Sequence, residues 1–437
     1  MHVVEFDDEG WPFDPSQVSA EQALAQTQLD SAIAQIRGEL ANPDHCVKLF
    51  VYVHGWQHNA AGDDDDVKNF RDFLRSIAGR KSTTADAGSS ACATPIQAKE
   101  AKEGTPRSAN KTDGNVRIVG LFVGWRGRSV EGAPFKYSSF WDRKSTAERV
   151  AQGSVRELFG RLAAVVDANR PAAAGLDKPP SRLRVYVIGH SFGASVVFRA
   201  ISQTLVDSFA SGLDDPTPNA AATISRSLDM VVLVNPAIEA ARFDPVFRAA
   251  SKRAALCPQP AGCTQPPYQA PVLAIFTSEG DWATKYAFPV GTTLGNLFEK
   301  AVTPEQARAI HKTIGWDADY VTHELKVDSA CTSDASRDPF EGPPGNRRYR
   351  APGWTWCFED ENTGTLALTH VPSMEGKTSV TTTYNGPLWN VRVSSEIIEN
   401  HNDIWNARFR GVLLHFFADS TTNPTVLQTL DVTAASN

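Results

Sequence analysis

The stretch VYVIGHSFGASVVFRA (185–200) decides the fold. It opens as an apolar, β-branched strand, turns through GHSFG (189–193) and continues as an apolar helix. Glycines on both sides of Ser191 permit a turn tight enough to hold that serine in a strained backbone conformation. Such a turn presents the hydroxyl at the carboxyl edge of a sheet, beside a helix N-terminus. The pattern G-x-S-x-G between strand and helix is typical of a nucleophile elbow; the alternative is a purely structural glycine-rich turn.

Apolar strands and helices alternate around this stretch over most of the chain. We expect strands at 47–54, 116–125, 183–190, 228–235, 271–278 and 388–394. We expect helices at 19–41, where Ser19 and Gln22 have capping-box spacing, and at 63–78, 145–168, 192–209, 242–254 and 402–418. Strands that alternate with helices form βαβ units, so the sequence predicts an α/β fold: a mostly parallel sheet with helices on both faces.

Two segments interrupt this alternation. Residues 79–115 are small, polar and without period, which predicts a mobile surface insertion. Residues 291–387 carry Pro/Gly-rich loops and short β-like pieces, among them a hairpin around 362–364. The predicted organisation is an N-terminal helical extension (1–44), a core (45–290), a cap-like insertion (291–387) and a completion of the core that holds a histidine loop and the C-terminal helix (388–437).

Composition and charge narrow the classes of protein. The 437 residues are 41% hydrophobic and 21% charged, as in an ordinary globular protein, and the formal net charge is −7. We see no basic stripe and expect no nucleic-acid partner. No stretch approaches the roughly 18 apolar residues of a membrane-spanning helix, so no integral membrane segment is expected. The acidic start MHVVEFDDEG is unlike a signal peptide, which favours a soluble, cytoplasmic protein; the alternative is the mature form of an exported one.

The six cysteines include no C-x-x-C pair, so they do not indicate a zinc ribbon or a thioredoxin-type site. Cys257 and Cys263 bracket a Pro-rich loop, and Cys331 and Cys357 flank another Pro/Gly-rich stretch. We predict disulfides there, with Cys257–Cys263 the foremost. Disulfides would favour the exported alternative, because cytosolic thiols stay reduced.

With its elbow, the chain resembles the α/β-hydrolase superfamily of serine esterases and lipases over about 45–290 and 388–420. FVYVHGWQHNA (50–60) matches the strand ending in His-Gly that precedes the elbow in the lipase-like branch. The resemblance implies an oxyanion hole formed by the backbone N–H groups of Trp56 and Phe192. A metal site at His54 and His58 is the alternative for this segment, but the glutamate of H-E-x-x-H is absent, so we expect no metal.

The remaining catalytic residues follow from the family's chain order of serine, acid and histidine. Asp281 lies just past a strand and is our candidate acid; its rivals are Glu279, Asp244 and Glu239. His401 lies in a loop before the last helix and is our candidate histidine. The other downstream histidines, in the insertion or inside that helix, fit less well: His311, His323, His370 and His415.

These residues predict a serine hydrolase that cleaves carboxylic esters, esterase- or lipase-like, through an acyl-enzyme intermediate. The substrate would be a small-molecule or lipid ester, and no cofactor is needed. The alternatives are an acyltransferase, a thioesterase or a peptidase with the same triad, or a catalytically silent binding protein on the same scaffold. Candidate pocket residues are His54, Gly55, Trp125 and Trp282, and aromatic residues of the insertion such as Trp354 and Trp356 would shape a cap.

Overall fold

A computed structural model of the chain describes fourteen stretches of residues. They are 1–13, 27–79, 116–125, 135–170, 181–211, 213, 228–255, 271–290, 301–329, 340–341, 348–349, 355–360, 364–371 and 387–419. Of the predicted insertion at 79–115, residues 80–115 therefore lie outside the described residues.

Within the described part of the chain, eleven strands form one sheet, and eight consecutive strands of it run parallel. The strands within the described residues are β1 (His2–Phe6), β2 (Pro12–Phe13), β3 (Cys46–Val53), β4 (Val116–Trp125), β5 (Leu183–His190), β6 (Met230–Val234), β7 (Leu273–Ser278), β8 (His323–Val327), β9 (Phe340–Glu341), β10 (Arg348–Tyr349), β11 (Thr355–Asp360), β12 (Gly364–His370) and β13 (Leu388–Val393). The sheet order is β11-β12-β8-β13-β7-β6-β5-β3-β4-β1-β2, and β9 pairs with β10 separately. All pairs from β8 across to β1 are parallel, while β2, β12 and β11 pair antiparallel at the two edges.

Helices cover both faces of this sheet, as predicted. They are α1 (Gln28–Ala41), α2 (Asp65–Gly79), α3 (Phe135–Gln152), α4 (Ser154–Ala168), α5 (Phe192–Ala210), α6 (Ala240–Ala255), α7 (Pro304–His311) and α8 (Ala407–Asp419). Strand β3 shows the two faces: Val47, Leu49, Val51 and Val53 pack with α1, α3, α4, α5 and α6, whereas Phe50 and Tyr52 pack with α2 and α8. The alternation of side chains along a strand thus fills two apolar layers, one on each side.

The N-terminal region differs from the predicted helical extension. Residues His2–Phe6 form β1, which pairs parallel with β4 and so belongs to the sheet. The described helix that follows begins at Gln28, and residues 19–26 of the predicted helix, with the capping-box pair Ser19 and Gln22, lie outside the described residues. Its capping box uses Thr27, whose hydroxyl accepts from the N–H of Asp30, and the Asp30 carboxylate accepts in return from the N–H of Thr27.

Two other predicted helices have different bounds in the structure: α3 begins earlier, at Phe135, and α8 begins later. The predicted helix 145–168 is two helices that meet at Gly153, where the backbone lies against Gly10 so closely that a Cβ would stand 2.6 Å from the Gly10 carbonyl oxygen. The last helix begins at Ala407 instead of residue 402, because the Asn406 side chain accepts from the N–H of Phe409 at 2.9 Å and caps it.

The described part of the inserted segment extends the sheet beyond β13. Strand β8 pairs parallel with β13, and β12 and β11 follow it as the predicted hairpin, with Asp360 opposite Gly364. A cap over the site stays a prediction, since Trp354 and the side chain of Trp356 lie outside the described part.

One disulfide-bonded cysteine lies within the described residues. Cys46, buried at the start of β3, is disulfide-bonded. Cys257, Cys263 and Cys331 lie outside the described residues, as does the side chain of Cys357. The specific bridge between Cys257 and Cys263 therefore stays a prediction.

Candidate active site

Ser191 occupies the turn between β5 and α5 in a strained conformation. Its φ of 56° and ψ of −120° lie where residues with a side chain are rarely found. The flanking glycines leave no room for side chains: a Cβ at Gly193 would stand 2.2 Å from the carbonyl oxygen of Val53, and one at Gly189 would stand 2.8 Å from the Cα of Ala194. The turn therefore requires the two glycines and fixes the serine side chain at the sheet's carboxyl edge.

The structure brings Ser191, His401 and Asp281 into one hydrogen-bonded chain. The Oγ of Ser191 lies 2.8 Å from Nε2 of His401, and Nδ1 of His401 lies 2.8 Å from Oδ1 of Asp281. Asp281 is fully buried, and Ser191 is 5% exposed. A neutral imidazole that donates Nδ1–H to the carboxylate presents Nε2 as an acceptor to the serine hydroxyl, which is what a general base requires.

Asp281 is held ionised by its surroundings. Burial alone raises the pKa of this carboxyl, but the charge and hydrogen bond of His401 and two hydrogen bonds from Thr284 outweigh it and lower the pKa. The Thr284 N–H donates to Oδ1 at 3.1 Å, and the Thr284 hydroxyl donates to Oδ2. Both carboxylate oxygens thus accept hydrogen bonds within the site. Thr284 was not among the site residues predicted from the sequence.

The rival acids have other partners or positions. Glu279 is exposed. Asp244 accepts from the Tyr320 hydroxyl at 2.9 Å and pairs with Arg248, while Glu239 pairs with Lys144. Asp281 is the carboxylate that accepts a hydrogen bond from Nδ1–H of His401.

Hydrogen bonds connect the backbone of His401 to the ends of three parallel strands, β5, β6 and β7. Its carbonyl oxygen accepts from Nε2–H of His190 at 2.8 Å and from the side-chain amide of Asn235 at 2.9 Å. Asn235 follows β6 with a φ of 46°, and its side-chain oxygen accepts from the N–H of Ser278 at the end of β7. Burial, and next the charge of His401, lower the pKa of His190 to about 4, so its ring is neutral at neutral pH. His190 is thus a structural residue of the elbow.

The predicted oxyanion loop touches the elbow. A Cβ at Gly55 would stand 3.0 Å from the Cβ of Ser191, so only a glycine permits this approach. Trp56 follows directly and packs half-buried against the core. Phe192 is the first residue of α5, and its amide therefore lies at the positive end of that helix. The assignment of these two amides to an oxyanion hole stays a prediction.

His54 and Trp125 brace this loop from the interior. The ring of His54 is fully buried, donates Nδ1–H to the Gly55 carbonyl at 2.8 Å and accepts at Nε2 from the N–H of Trp125 at 3.1 Å. The Trp125 indole N–H donates back to the His54 carbonyl at 2.9 Å, and that side chain is 3% exposed. Trp282, by contrast, is 62% exposed beside Asp281. Of the candidate pocket side chains, Trp282 is the one turned towards solvent.

The described ranges contain neither a metal-binding cluster nor a membrane-spanning helix. There, no group of three or more His, Cys, Asp or Glu side chains is placed to hold a metal ion. His58, one of the two histidines of the metal alternative, bonds instead through Nδ1 to Asp64 at 3.0 Å. Over the same part of the chain, no helix is long and apolar enough to cross a membrane.

Comparison with known proteins gives one distant structural likeness. No protein-family model matches the chain, and no curated protein matches it in sequence. Among solved structures, phospholipase PlaB from Legionella pneumophila in complex with thio-NAD is similar at a TM-score of 0.24 and 12% identity, over 88% of this chain and 62% of that chain. The chain thus spans less than two thirds of that phospholipase. A likeness this distant bears on neither fold nor activity, and both are inferred from the geometry.

Proposed function

We propose that this protein is a serine hydrolase that cleaves carboxylic esters through a Ser191–His401–Asp281 triad. The observation that carries the proposal is the hydrogen-bonded chain of these three side chains, which begins at a strained serine between a parallel strand and a helix. A structural glycine-rich turn has no need of a histidine 2.8 Å from its serine hydroxyl, or of a buried carboxylate behind that histidine.

The chemistry follows from the atoms involved. Oγ of Ser191 attacks the acyl carbon while Nε2 of His401 takes its proton, and Asp281 stabilises the resulting imidazolium. The backbone N–H groups of Trp56 and Phe192 donate hydrogen bonds to the carbonyl oxygen and stabilise the negative charge that develops on it. The imidazolium then gives its proton to the departing alcohol. Water, activated by the same imidazole, attacks the acyl-enzyme and releases the acid.

The triad determines that an acyl carbon is attacked, but it does not determine which molecule finally accepts the acyl group. An acyltransferase would deliver the acyl group to a second alcohol or amine, and a thioesterase or peptidase would differ in the leaving group. Trp282, exposed directly after the acid, is the side chain we assign to the acyl entrance. The substrate is then an ester with an apolar acyl or alcohol part, of small-molecule or lipid type.

The experiment combines a fluorophosphonate label with a panel of p-nitrophenyl esters of graded chain length. Wild-type protein should label at one serine and hydrolyse esters, while Ser191→Ala should lose labelling and at least about a thousandfold in turnover. Ser195→Ala is the matched control, since Ser195 is buried one turn further along α5 and should behave as wild type. Labelling of Ser191→Ala at the wild-type rate would refute the proposal. Loss of label with preference for added alcohol over water as acceptor would identify an acyltransferase.

A further inference from the structure

The acid of the proposed triad is followed by an unusual turn of helix. Ala283–Ala287 is π-helical, and its second residue, Thr284, is 2% exposed. Turns of this kind are rare and are frequently found at functional sites. Here the turn points the Thr284 side chain back at Asp281, where the hydroxyl donates to Oδ2 and the N–H donates to Oδ1. Oδ1 is also the atom that bonds to His401.

The direction of the Thr284 hydroxyl is set by a third residue. The indole N–H of Trp316 lies 3.1 Å from Oγ1 of Thr284. An indole nitrogen can only donate, so Oγ1 accepts there, and its single hydrogen is available for Asp281. The result is a directed series of hydrogen bonds that runs from Trp316 through Thr284 and Asp281 to His401.

Trp316 belongs to the segment inserted between β7 and β13, and it is firmly seated. Lys285 and Arg392 place their charged groups 4.5 Å and 5.4 Å from the centre of its indole ring. The preceding residue, Gly315, lies so close to β7 that a Cβ would stand 1.9 Å from Oγ1 of Thr277. Arg392 of β13 also donates to the Gly315 carbonyl at 2.9 Å. The segment therefore presents its indole N–H from a rigid position.

The energetic reason for such an arrangement lies in the complete burial of Asp281. A buried carboxylate oxygen that accepts no hydrogen bond has lost its bonds to water without replacement. The carboxylate then rotates towards a donor or takes up a proton. Either response would weaken the hydrogen bond that holds the His401 ring in place. The Thr284 hydroxyl removes that cost for Oδ2 while leaving Oδ1 to the histidine.

We propose that Thr284 is a positioning residue for Asp281 and that Trp316, from the inserted segment, orients the Thr284 hydroxyl. This inference rests on the proposed triad and goes beyond it: the insertion supports the acid directly, by hydrogen bonds. Thr284 touches no reacting atom and acts through Asp281.

Three variants of Thr284 and Trp316 test the inference on the full chain. Thr284→Val removes the hydroxyl at nearly constant volume and should lower kcat for a p-nitrophenyl ester about 10- to 100-fold, the usual effect of losing a hydrogen bond to a charged group. KM should stay within about twofold, since no substrate contact is lost. Thr284→Ser restores a hydroxyl and should recover most of kcat. Trp316→Phe keeps an aromatic ring and should cost about three- to tenfold.

Two comparisons separate positioning from general damage. Thr277→Val is the matched control: Thr277 is also buried, next to Gly315, and its hydroxyl has no hydrogen-bond partner within the described part of the chain, so kcat should not change. In a double-mutant cycle, Trp316→Phe should have no further effect on kcat in the Thr284→Val background, because it acts through the missing hydroxyl. The inference would be overturned if Thr284→Val and Trp316→Phe lowered kcat independently of each other. It would also be overturned if Thr284→Ser were as slow as Thr284→Val, or if Thr284→Val had the kcat of wild type.

A spectroscopic measurement keeps this test apart from that of the proposed function. The proton on Nδ1 of His401 should give a far-downfield proton resonance, identified by its absence in His401→Gln. We expect Thr284→Val to shift or broaden it and Thr284→Ser to restore it. If wild-type protein neither labels nor hydrolyses esters while this pattern holds, the proposed function fails and the positioning role stands. A resonance unchanged in Thr284→Val would overturn the positioning role whatever the activity.

Discussion

The two sides of the proposed triad are held in place by different means. On the nucleophile side, backbone contacts dominate: Gly193 lies against β3 and Gly55 lies against Ser191, with no space for a Cβ at either. On the acid side, hydrogen bonds dominate, because Thr284 donates two hydrogen bonds to Asp281 and accepts one from the indole N–H of Trp316. Steric contact with backbone tolerates almost no change, whereas a series of hydrogen bonds can be weakened step by step. The two sides should therefore respond differently to substitution.

The strongest contrast should come from Gly193→Ala. Its new Cβ would stand 2.2 Å and 2.3 Å from the carbonyl oxygens of Val53 and His54, which are backbone atoms with little freedom to move. We expect a loss of about 3 kcal/mol or more in the free energy of unfolding, with ester hydrolysis abolished because the oxyanion loop is displaced. Urea denaturation measures the first effect and the ester panel the second.

Gly160→Ala provides the control for that experiment. Gly160 lies inside α4 with nothing within 4 Å of the position of a Cβ, so alanine there should stabilise the protein by about 0.5–1 kcal/mol. A Gly193→Ala protein as stable and as active as wild type would show that the elbow side is not limited by backbone contact.

The acid side should lose activity without losing its fold. Asp281→Asn preserves the shape of the side chain but offers the wrong group to Nδ1 of His401, so kcat should fall about 10⁴-fold. Glu279→Gln, two residues earlier and exposed, should leave kcat within about twofold. Ester kinetics, together with the thermal midpoint of both variants, measure this. If the Glu279 variant proves to be the inactive one, the roles of the two carboxylates must be exchanged.

This contrast also explains what could be predicted from the sequence. The elbow is a local pattern of strand, two glycines and helix, and its features lie within a few residues of each other. Ser191, Asp281 and His401 could be chosen because chain order and strand ends restrict the candidates. The structure brings these three together.

The supports of the acid side could not be predicted in this way. Thr284 and Trp316 are 32 residues apart and meet only because the inserted segment packs on β7 and β13. In the sequence, Asn235 is recognisable only as an asparagine that follows a strand. Asparagine is one of the residues that tolerate a positive φ such as its 46°, but nothing in the sequence indicates its contact with His401. The pairing of β1 with β4 likewise joins residues more than 100 positions apart. Tertiary contacts of this kind leave no periodic signal in the sequence.

One residue links the two sides, and its replacement should have the smallest effect at neutral pH. His190 belongs to the elbow, yet its Nε2–H donates to the carbonyl of His401. His190→Gln offers an amide N–H in its place, so at pH 7.5 we expect kcat within about threefold of wild type. The two proteins should differ in how their stability depends on pH, because the pKa of His190 is lowered to about 4 in the folded protein by burial and by His401.

The direction of this pH effect follows from proton linkage. Between the unfolded value near 6.5 and the folded value of about 4, the unfolded chain binds a proton at position 190 that the folded protein does not. Wild-type stability should therefore decrease as the pH falls from 6.5 to 4, and the part due to His190 should be absent in His190→Gln. Urea denaturation at pH 7.5, 6, 5 and 4 measures it, and the two curves should converge in acid. Parallel curves over this range would mean that His190 binds protons equally in the folded and unfolded protein, so that its pKa is not lowered by folding.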